Sequence, residues 1–339
     1  MSSEFGLLDL RILQKNYRLK AITMLPKNPK LIMSKYFPES KSDTNLVEWE
    51  TSFQYAGLAQ YVDKGGMPNQ VGEDPTVRSW QEVAYKVESY WCDADDVRWQ
   101  RKPGTDDEES MTNKILQQKL KMAQRLDNRN EWENICALRG SVAIKTTSGS
   151  TVTLDYGLPS GNKIDITGES GSVWTNVDSD LFGMLRTWAE KAGLEEADIY
   201  CPTYIIDVLA KHKQITGYFG ENLKTIIATH GRVQKVYGFD IIPYNATYAK
   251  DFNPDSVNIP ARERFMAKNE IFILPKDETI GERPIAACAK SGGKSQRFVR
   301  AWEEKEHKDG TWLVVGEYSL PVIRNKWSHI YAKVCAAPQ

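Results

Sequence analysis

Two predicted strands separated by a connection too long for an ordinary hairpin constrain the fold of this chain most strongly. The first is residues 46–62 and the second is residues 81–91. In the second segment, alternate apolar residues share one face: Val83, Tyr85, Val87 and Trp91. The Gly- and Pro-rich segment 64–80 between them far exceeds the roughly two to five residues of a hairpin loop. A two-stranded arm is marginally stable alone in water, so we expect it to lie on another copy of the chain.

A long amphipathic helix is predicted after the acidic stretch that follows the second strand. The helical pattern begins near Glu108 and continues to about Leu138, where Gly140 would end it. Its apolar stripe has +4, +7 and +4 spacing: Met111, Ile115, Met122 and Leu126. The pattern breaks at 127–130, so the helix either bends there or a second helix starts, capped by Asp127 or Asn128. A continuous helix would be about 45 Å long.

The rest of the sequence predicts an irregular N-terminal arm and a mixed α+β body. Residues 1–45 contain one short helical pattern at 7–14, followed by a proline-rich extended segment. A β-hairpin is predicted at 141–147 and 151–156, and a helix at 178–191 with Asp178 or Ser179 as its cap. Further along the chain, a helix is predicted at 202–212 and strands at 197–201, 235–248, 269–275, 285–290, 311–323 and 327–334.

Composition argues against several classes of function. The formal net charge of −1 gives no overall basic field for nucleic acid. The five cysteines are widely spaced without a CxxC pair, which is typical of a reduced cytosolic protein. The N-terminus does not resemble a signal peptide, and no segment has the roughly 18 apolar residues of a membrane span. The four histidines show no zinc-site spacing, and we expect no metal, cofactor or catalytic residue.

Large aromatic residues cluster in and beside the long hairpin, where a single chain could hardly bury them. Each large side chain that is desolvated contributes about 1.5–3 kcal/mol, so these residues are predicted to contact neighbouring subunits. The alternative is that they pack on the core of their own chain. The candidates are Trp49, Tyr55, Trp80, Tyr85, Trp91 and Trp99. A local basic patch, facing either DNA or an acidic neighbour, is predicted from Lys290, Lys294, Arg297 and Arg300.

The order of these features resembles the Hong Kong 97-type fold of tailed-phage major capsid proteins. Within that group the sequence is similar to the lambda-type family, and the resemblance extends over nearly the whole chain. The segments that carry it are 57–66, the long helix, 151–157, 235–248, 269–281 and 316–334.

The resemblance implies an α+β capsid fold with five parts. These are an N-terminal arm (1–45), an extended loop (46–107), a peripheral domain with the spine helix (108–176), an axial domain (177–315) and C-terminal strands that return to the peripheral domain (316–339). No coiled coil precedes the first strand, so we expect a separate scaffolding protein rather than a fused one.

The function implied is a shell subunit that assembles with itself into hexamers and pentamers around packaged DNA. Its other expected partners are a scaffolding protein and a portal, with a decoration protein left open and no membrane. It would assemble in the host cytoplasm and reside in the virion. Two alternatives are a cellular nanocompartment shell that holds a cargo enzyme, and a cytosolic α+β enzyme with its site in residues 178–320. The enzyme would need a convergent cluster of titratable residues, and the sequence offers none.

Overall fold

Strands dominate the structure, and a few helices pack against them, which confirms the predicted α+β class. The computed structural model describes residues 31–52, 76–93, 111–145, 149–220, 222–230, 232–249, 261–304 and 309–337. The short helix predicted at 7–14 and the tip of the long hairpin lie outside the described residues.

The described elements have the following bounds. The helices are α1 (Met111–Leu138), α2 (Leu181–Lys191), α3 (Thr203–Lys211), α4 (Lys213–Phe219) and α5 (Asn222–His230), with 3-10 turns at Met33–Lys35, Ser160–Asn162 and Ala289–Ser291. The first nine strands are β1 (Glu39–Ser42), β2 (Leu46–Ser52), β3 (Thr76–Glu82), β4 (Tyr85–Asp93), β5 (Ser141–Lys145), β6 (Thr151–Asp155), β7 (Lys163–Asp165), β8 (Ala197–Cys201) and β9 (Lys235–Val236). The others are β10 (Phe239–Pro243), β11 (Thr247–Ala249), β12 (Arg262–Arg264), β13 (Glu270–Pro275), β14 (Gly281–Ala286), β15 (Phe298–Glu304), β16 (Gly310–Tyr318), β17 (Val322–Ile323) and β18 (Ile330–Lys333).

The long helix α1 runs through residues 127–130 without interruption, so the alternative of a second helix starting there is wrong. The 28 residues of α1 extend for about 42 Å. The polar residues that interrupt the sequence pattern have partners elsewhere in the chain. Asp127 accepts a hydrogen bond from Arg297 at 2.7 Å, and Asn130 donates one to Glu317 at 2.8 Å. These contacts hold the polar turn in helical conformation where the sequence pattern suggested a break.

The predicted pairing of residues 46–62 with 81–91 holds only for 81–82, which pair with 46–47, and it is wrong for the rest of the second strand. Strand β4 pairs antiparallel with β16 over its whole length, and β15 completes a sheet of order β15-β16-β4. One face of this sheet packs on α1, where Cys92 and Leu313 are buried beside Ile115. The alternate apolar side chains of β4 (Tyr85, Val87 and Trp91) lie on the more exposed face of this sheet, and Lys86 and Cys92 lie on the face that packs on α1.

A long hairpin does exist, but its return strand is β3 rather than 81–91. Strands β2 and β3 pair antiparallel from Leu46–Glu82 to Ser52–Thr76, and we call this two-stranded sheet the ribbon. Its base is fixed to the body by a small apolar cluster that includes Val47 and Leu320.

A six-stranded sheet of order β7-β18-β13-β8-β10-β9 forms the centre of the body. Every residue of β8 and β13 is buried, as expected for central strands covered on both faces. Both strands lie where the sequence predicted them. The single strand predicted at 235–248 is wrong, because a tight turn at Tyr237 (φ +50°) and Gly238 (φ +90°) separates β9 from β10.

Helices α2 to α5 pack with this sheet, and their apolar side chains contribute to the large hydrophobic cluster that they share with it. The helix predicted at 178–191 begins later, at Leu181. Its cap is Asp180, whose carboxylate accepts a hydrogen bond from the Gly183 N–H at 3.1 Å, and the predicted caps Asp178 and Ser179 are wrong. The Ser179 hydroxyl is bound instead to His212. The sequence pattern did not predict α4 and α5.

The smaller sheets give mixed outcomes. The hairpin β5–β6 is confirmed, with Val142 opposite Leu154 and Ile144 opposite Val152. The described end of the N-terminal arm forms β1, which pairs in parallel with β14 of the same chain. The strand predicted at 285–290 is displaced, because β14 ends at Ala286. The five-part domain division stays a prediction. Within its last part, β18 lies in the six-stranded sheet.

Candidate functional site

One face of the ribbon carries a tryptophan, two glutamates, a leucine and an arginine. Trp80 in β3 is 69% exposed, and Glu48 lies directly opposite it in β2. The same face continues with Leu46 and Glu82 on one side of this pair and with Arg78 on the other, since alternate residues of a strand point the same way. These five side chains are exposed, and we call this set the ribbon face. The exposure of Trp80 agrees with the sequence prediction, whereas its proposed contact with a neighbour remains a prediction.

Tyr85 and Trp91 lie on β4, on the side of the three-stranded sheet that faces away from α1. Trp91 is half-buried because its ring packs at 5.0 Å from that of Trp312, and Trp302 stacks on the other side of Trp312 at 6.3 Å. Packing within the chain therefore covers part of Trp91, and its contact with a neighbouring subunit remains a prediction. Tyr85 stacks on Tyr318 at 4.4 Å and remains 38% exposed.

The other three aromatic candidates cannot be placed as contacts. Trp49 lies in β2 opposite Ser79, but its side chain is not among those described. Tyr55 and Trp99 lie outside the described residues.

The four residues of the predicted basic patch do not share one surface. Arg297 is only 19% exposed at its side chain and points inward, where it binds Glu317 and Asp127, each at 2.7 Å. Lys290 donates to the Tyr85 hydroxyl at 2.6 Å. Arg300 is held beside it by the backbone carbonyls of residues 289 and 290. Lys294 is exposed on the same loop. The sequence pattern does not show that the Arg297 side chain points inward, because both of its carboxylate partners are distant in sequence.

A buried network of charges joins α1 to the strands beside it. Glu133 of α1 accepts hydrogen bonds from Lys86 of β4 at 2.8 Å and from Arg283 of β14 at 2.9 Å. Glu317 of β16 binds Arg297 and lies 3.6 Å from Lys86. Burial alone would raise the pKa of Glu317, but Arg297 and Lys86 hold it well below its ordinary value. The network fixes the helix against three strands at once.

Sequence reasoning missed this network, although a signal was present. Arg283 is 3% exposed and also binds Asn130 and Asn134, which lie one helical turn apart on α1. Polar residues in the middle of an amphipathic helix can mark a buried polar contact as well as a helix break. Burying an ion pair costs desolvation energy, and removing one partner of a buried pair strongly destabilises the protein. The network therefore favours one arrangement of α1 against these strands.

A second polar contact lies where α1 meets the six-stranded sheet. Glu131 is 1% exposed and accepts hydrogen bonds from the Tyr244 hydroxyl at 2.7 Å and the Met33 N–H at 3.1 Å. Its other oxygen, Oε2, has no hydrogen-bond partner among the described residues. Burial outweighs these hydrogen bonds and raises the pKa of Glu131 to about 6.

A cavity of about 530 Å³ opens at the outer edge of the three-stranded sheet, beside β15. Its apolar part includes Ile115 of α1 and Leu313 of β16. Its charged part consists of cations: Lys119, Lys290 and Arg300. We call it the edge cavity.

The buried pair Ser179–His212 has the residue types of a nucleophile and a base, but the wrong arrangement. The Ser179 Oγ lies 3.0 Å from His212 Nε2, while the Gln214 N–H donates to His212 Nδ1 at 3.3 Å. In the neutral ring the proton is therefore on Nε2, which donates to the serine and cannot accept its proton. Both side chains are buried, so this pair anchors α2 against α4.

Neither a cluster of metal-ligand side chains nor a membrane-spanning helix is found among the described residues. Nowhere among them do three or more His, Cys, Asp or Glu side chains converge in a way that could hold a metal ion. None of the described helices is both long and apolar enough to cross a membrane.

Comparison with solved structures shows the Hong Kong 97-type fold in capsid proteins of distant sequence. A prophage protein of Escherichia coli CFT073, crystallised as a candidate capsid protein, is 12% identical with a TM-score of 0.65, covering 95% of this chain and 98% of that one. The capsid of cyanophage P-SCSP1u is 13% identical with a TM-score of 0.55, covering 89% and 87%. The mature capsid of bacteriophage PhiM1 is 11% identical with a TM-score of 0.54, covering 91% and 88%.

The sequence itself identifies the family. A search of curated protein sequences gave no match. The profile of the family described as "Phage major capsid protein E" matches residues 19–334, which confirms the resemblance to the lambda-type group and does not favour the nanocompartment or enzyme alternatives. This chain belongs to the phage major capsid protein E family, and it is a structural subunit of the multimeric shell of a virion.

Proposed function

We propose that this capsid protein assembles with itself into hexamers and pentamers of an icosahedral shell that encloses packaged double-stranded DNA, and that it catalyses no reaction. The observation that carries this proposal is the ribbon. It leaves the body as a two-stranded sheet whose Trp80 is 69% exposed. A ribbon of this kind is marginally stable by itself and exposes a ring that would be buried in a contact between subunits.

The base of the ribbon is suited to transmit force between neighbours. Val47 and Val83 fix it to β14 and β17, and the buried charges of Glu133 and Arg283 fix β14 to α1. A load applied to the ribbon therefore reaches the long helix through buried contacts. Rigid subunits of this kind favour a regular lattice over an irregular aggregate.

The other proposed partners follow from the family and the charge of the chain. Assembly would take place in the host cytoplasm with a scaffolding protein and a portal, and a decoration protein could be added to the finished shell. Contact with DNA would be non-specific, since the net charge is −1 and basic residues act only locally.

Electron microscopy of the expressed full chain, with and without a co-expressed scaffolding protein, tests the proposal. Uniform shells of pentamers and hexamers are expected. A compact monomer that persists under all conditions would contradict it.

A shortened ribbon provides the matched variant. Residues 53–75 are replaced by Asn-Gly, which can connect the terminal pair Ser52–Thr76 by a two-residue turn. This variant is expected to fold, as measured by circular dichroism, but to assemble poorly. Normal, stable particles from it would remove the assigned role of the hairpin tip.

A further inference from the structure

A lysine, an asparagine and a glutamate meet in the buried network between β4 and α1. The Lys86 ammonium donates to the side-chain carbonyl of Asn130 at 2.6 Å and to the Glu133 carboxylate at 2.8 Å. The side chains of Lys86 and Glu133 are only 9% and 1% exposed. An amine, a carboxamide and a carboxylate held together in this way are the groups of a self-contained acyl transfer, with the amine as nucleophile and the carboxylate as proton carrier.

The side-chain amide of Asn130 is fixed by partners at both ends. Its Nδ2 donates to Glu317 at 2.8 Å, and its Oδ1 also accepts a hydrogen bond from the Arg283 guanidinium at 3.1 Å. A carboxylate on one side and cations on the other determine which end of the amide is the oxygen. A guanidinium placed at the carbonyl oxygen stabilises the negative charge that develops there when the carbonyl carbon is attacked.

The surroundings of Lys86 favour an uncharged amine. Burial lowers the pKa of its ammonium, which raises the fraction of the neutral, nucleophilic form. Both buried carboxylates beside it have a cationic partner of their own. Glu133 binds Arg283 at 2.9 Å. Glu317 binds Arg297 at 2.7 Å. Loss of the lysine charge would therefore leave each of the two carboxylates paired with an arginine.

We propose that each subunit forms an isopeptide bond between Lys86 Nζ and Asn130 Cγ, joining strand β4 to helix α1 within one chain and releasing one ammonium ion. The inference goes beyond the proposed function, because it concerns the folded subunit and does not require assembly. The bond forms once per chain and turns over no substrate, so the modification is consistent with a structural protein.

The reaction needs only the groups of this network. Glu133 takes a proton from the Lys86 ammonium, and the amine turns from the amide oxygen to the adjacent carbon and attacks it. The carbon–nitrogen bond forms as the carbonyl electron pair moves to Oδ1, where Arg283 donates a hydrogen bond. A second proton passes from Nζ to Nδ2, the carbonyl re-forms, and the bond from Cγ to Nδ2 breaks. The departing ammonia takes the proton held by Glu133 and leaves as ammonium, so no other reactant is consumed.

The position of the bond links it to the base of the ribbon. Lys86 follows the last residue of β3, Glu82, by four positions, and Asn130 lies in the second half of α1. Hydrogen bonds and ion pairs in this network can open and re-form, whereas an amide bond does not. A load on the ribbon would then reach the long helix through a covalent bond.

Mass spectrometry of the denatured full chain tests the proposal. Purified wild-type subunits, incubated in the folded state, are expected to be lighter than their sequence by the mass of one ammonia. A succinimide at Asn130 would give the same loss, so a tryptic digest is the decisive measurement. The isopeptide yields one branched peptide in which residues 79–98, uncut after Lys86, are joined to residues 130–139.

Two results with the wild-type chain would overturn the inference. One is the full sequence mass in both folded subunits and assembled shells. The other is loss of ammonia without the branched peptide. Lys86→Arg keeps a cation but has no nucleophilic amine, so this variant should have its full sequence mass. A loss of ammonia in Lys86→Arg equal to that of the wild type would assign the loss to another group.

A matched pair of substitutions tests the role of the carboxylate. Glu133→Gln keeps the size of the side chain but removes the proton acceptor, and bond formation should slow by about 100-fold or more. Glu88→Gln makes the same change in a more exposed ion pair between β4 and α1, Glu88 with Arg125 at 3.0 Å, and should leave the rate unchanged. Circular dichroism confirms that each variant is folded before incubation. Equal rates in the two variants would show that Glu133 does not carry the proton.

Discussion

The ribbon and the six-stranded sheet use the same backbone hydrogen bonding, but they depend on different sources of stability. In β8 and β13 every residue is buried, so side-chain packing and the hydrogen-bond ladder act together. In the ribbon, by contrast, Val47 is the one buried residue among those whose side chains are described. The sheet is complete within one chain, whereas the ribbon presents its large aromatic surface to solvent.

This difference shows which part of the subunit is stabilised within its own chain and which part needs contact with another surface. A hydrogen-bond ladder contributes little net stability when both of its faces are wet, because the same groups bond to water in the unfolded chain. The ribbon therefore needs an external surface in a way that the central sheet does not. Substitutions in the sheet and its polar supports should affect the isolated subunit, and those in the ribbon should affect assembly.

The largest effect on the isolated subunit is expected at the buried charges that support the body. Arg283→Met removes the guanidinium beside Glu133 and leaves a buried carboxylate with fewer partners. The expected loss is about 3–5 kcal/mol of unfolding free energy, measured by urea denaturation of unassembled protein.

The matched control is Arg324→Met, which breaks the exposed ion pair of Arg324 with Glu282 on the same strand β14. Surface ion pairs contribute no more than about 1 kcal/mol. A similar loss in both variants would show that burial of the Arg283 network is not what stabilises it.

Locally patterned elements could be predicted from the sequence, and long-range partners could not. The buried runs of β8 and β13 and the hairpin β5–β6 have patterns that specify their structure within a few residues. The alternation in β4 shows that it is a strand with one apolar face, but it does not show which strand pairs with it. The partner, β16, lies more than 200 residues away, as counted from the registered pair Tyr85–Tyr318.

The same limit applies to the candidate contacts. The exposure of Trp80 follows from its place in a hairpin without a core. The partial burial of Trp91 depends on Trp312, and the inward orientation of Arg297 depends on Asp127 and Glu317. No local pattern connects these residues. The edge cavity likewise combines α1, the loop at 289–291 and β15, so it appears only when the chain is folded.

A smaller effect is expected from Glu131, and it depends on pH. Its pKa is about 6 in the folded chain against an ordinary value of 4.5, so the folded state binds the proton more tightly. The stability that this group contributes is complete below pH 4.5 and is lost as the pH rises through 6. The difference is about 2 kcal/mol at roughly 1.36 kcal/mol per pKa unit.

Comparison with Glu131→Gln isolates this contribution, since both proteins share every other titrating group. Between pH 7.5 and pH 4.5 the wild type should gain about 2 kcal/mol relative to the variant, measured by urea denaturation at each pH. Glu195→Gln, at an exposed position, serves as control. A constant difference between wild type and Glu131→Gln across this range would contradict the assignment.

The clearest comparison is between the effect of removing one methyl group from the sheet and the effect of removing a whole indole from the ribbon. Ile199 in β8 is 1% exposed and lies between Ile241 and Ile273 on the neighbouring strands. Ile199→Val removes a single buried methyl group and should cost about 0.5–1.5 kcal/mol in the unassembled subunit.

Trp80→Ala removes far more atoms, yet the unassembled subunit should change by no more than about 0.5 kcal/mol, since the ring is 69% exposed. Its effect should appear in assembly instead, where Ile199→Val should have little influence. Urea denaturation and sedimentation of the two variants, measured side by side, check both halves. If Trp80→Ala destabilises the isolated subunit more than Ile199→Val does, the indole packs on its own chain, and the ribbon does not need an external surface.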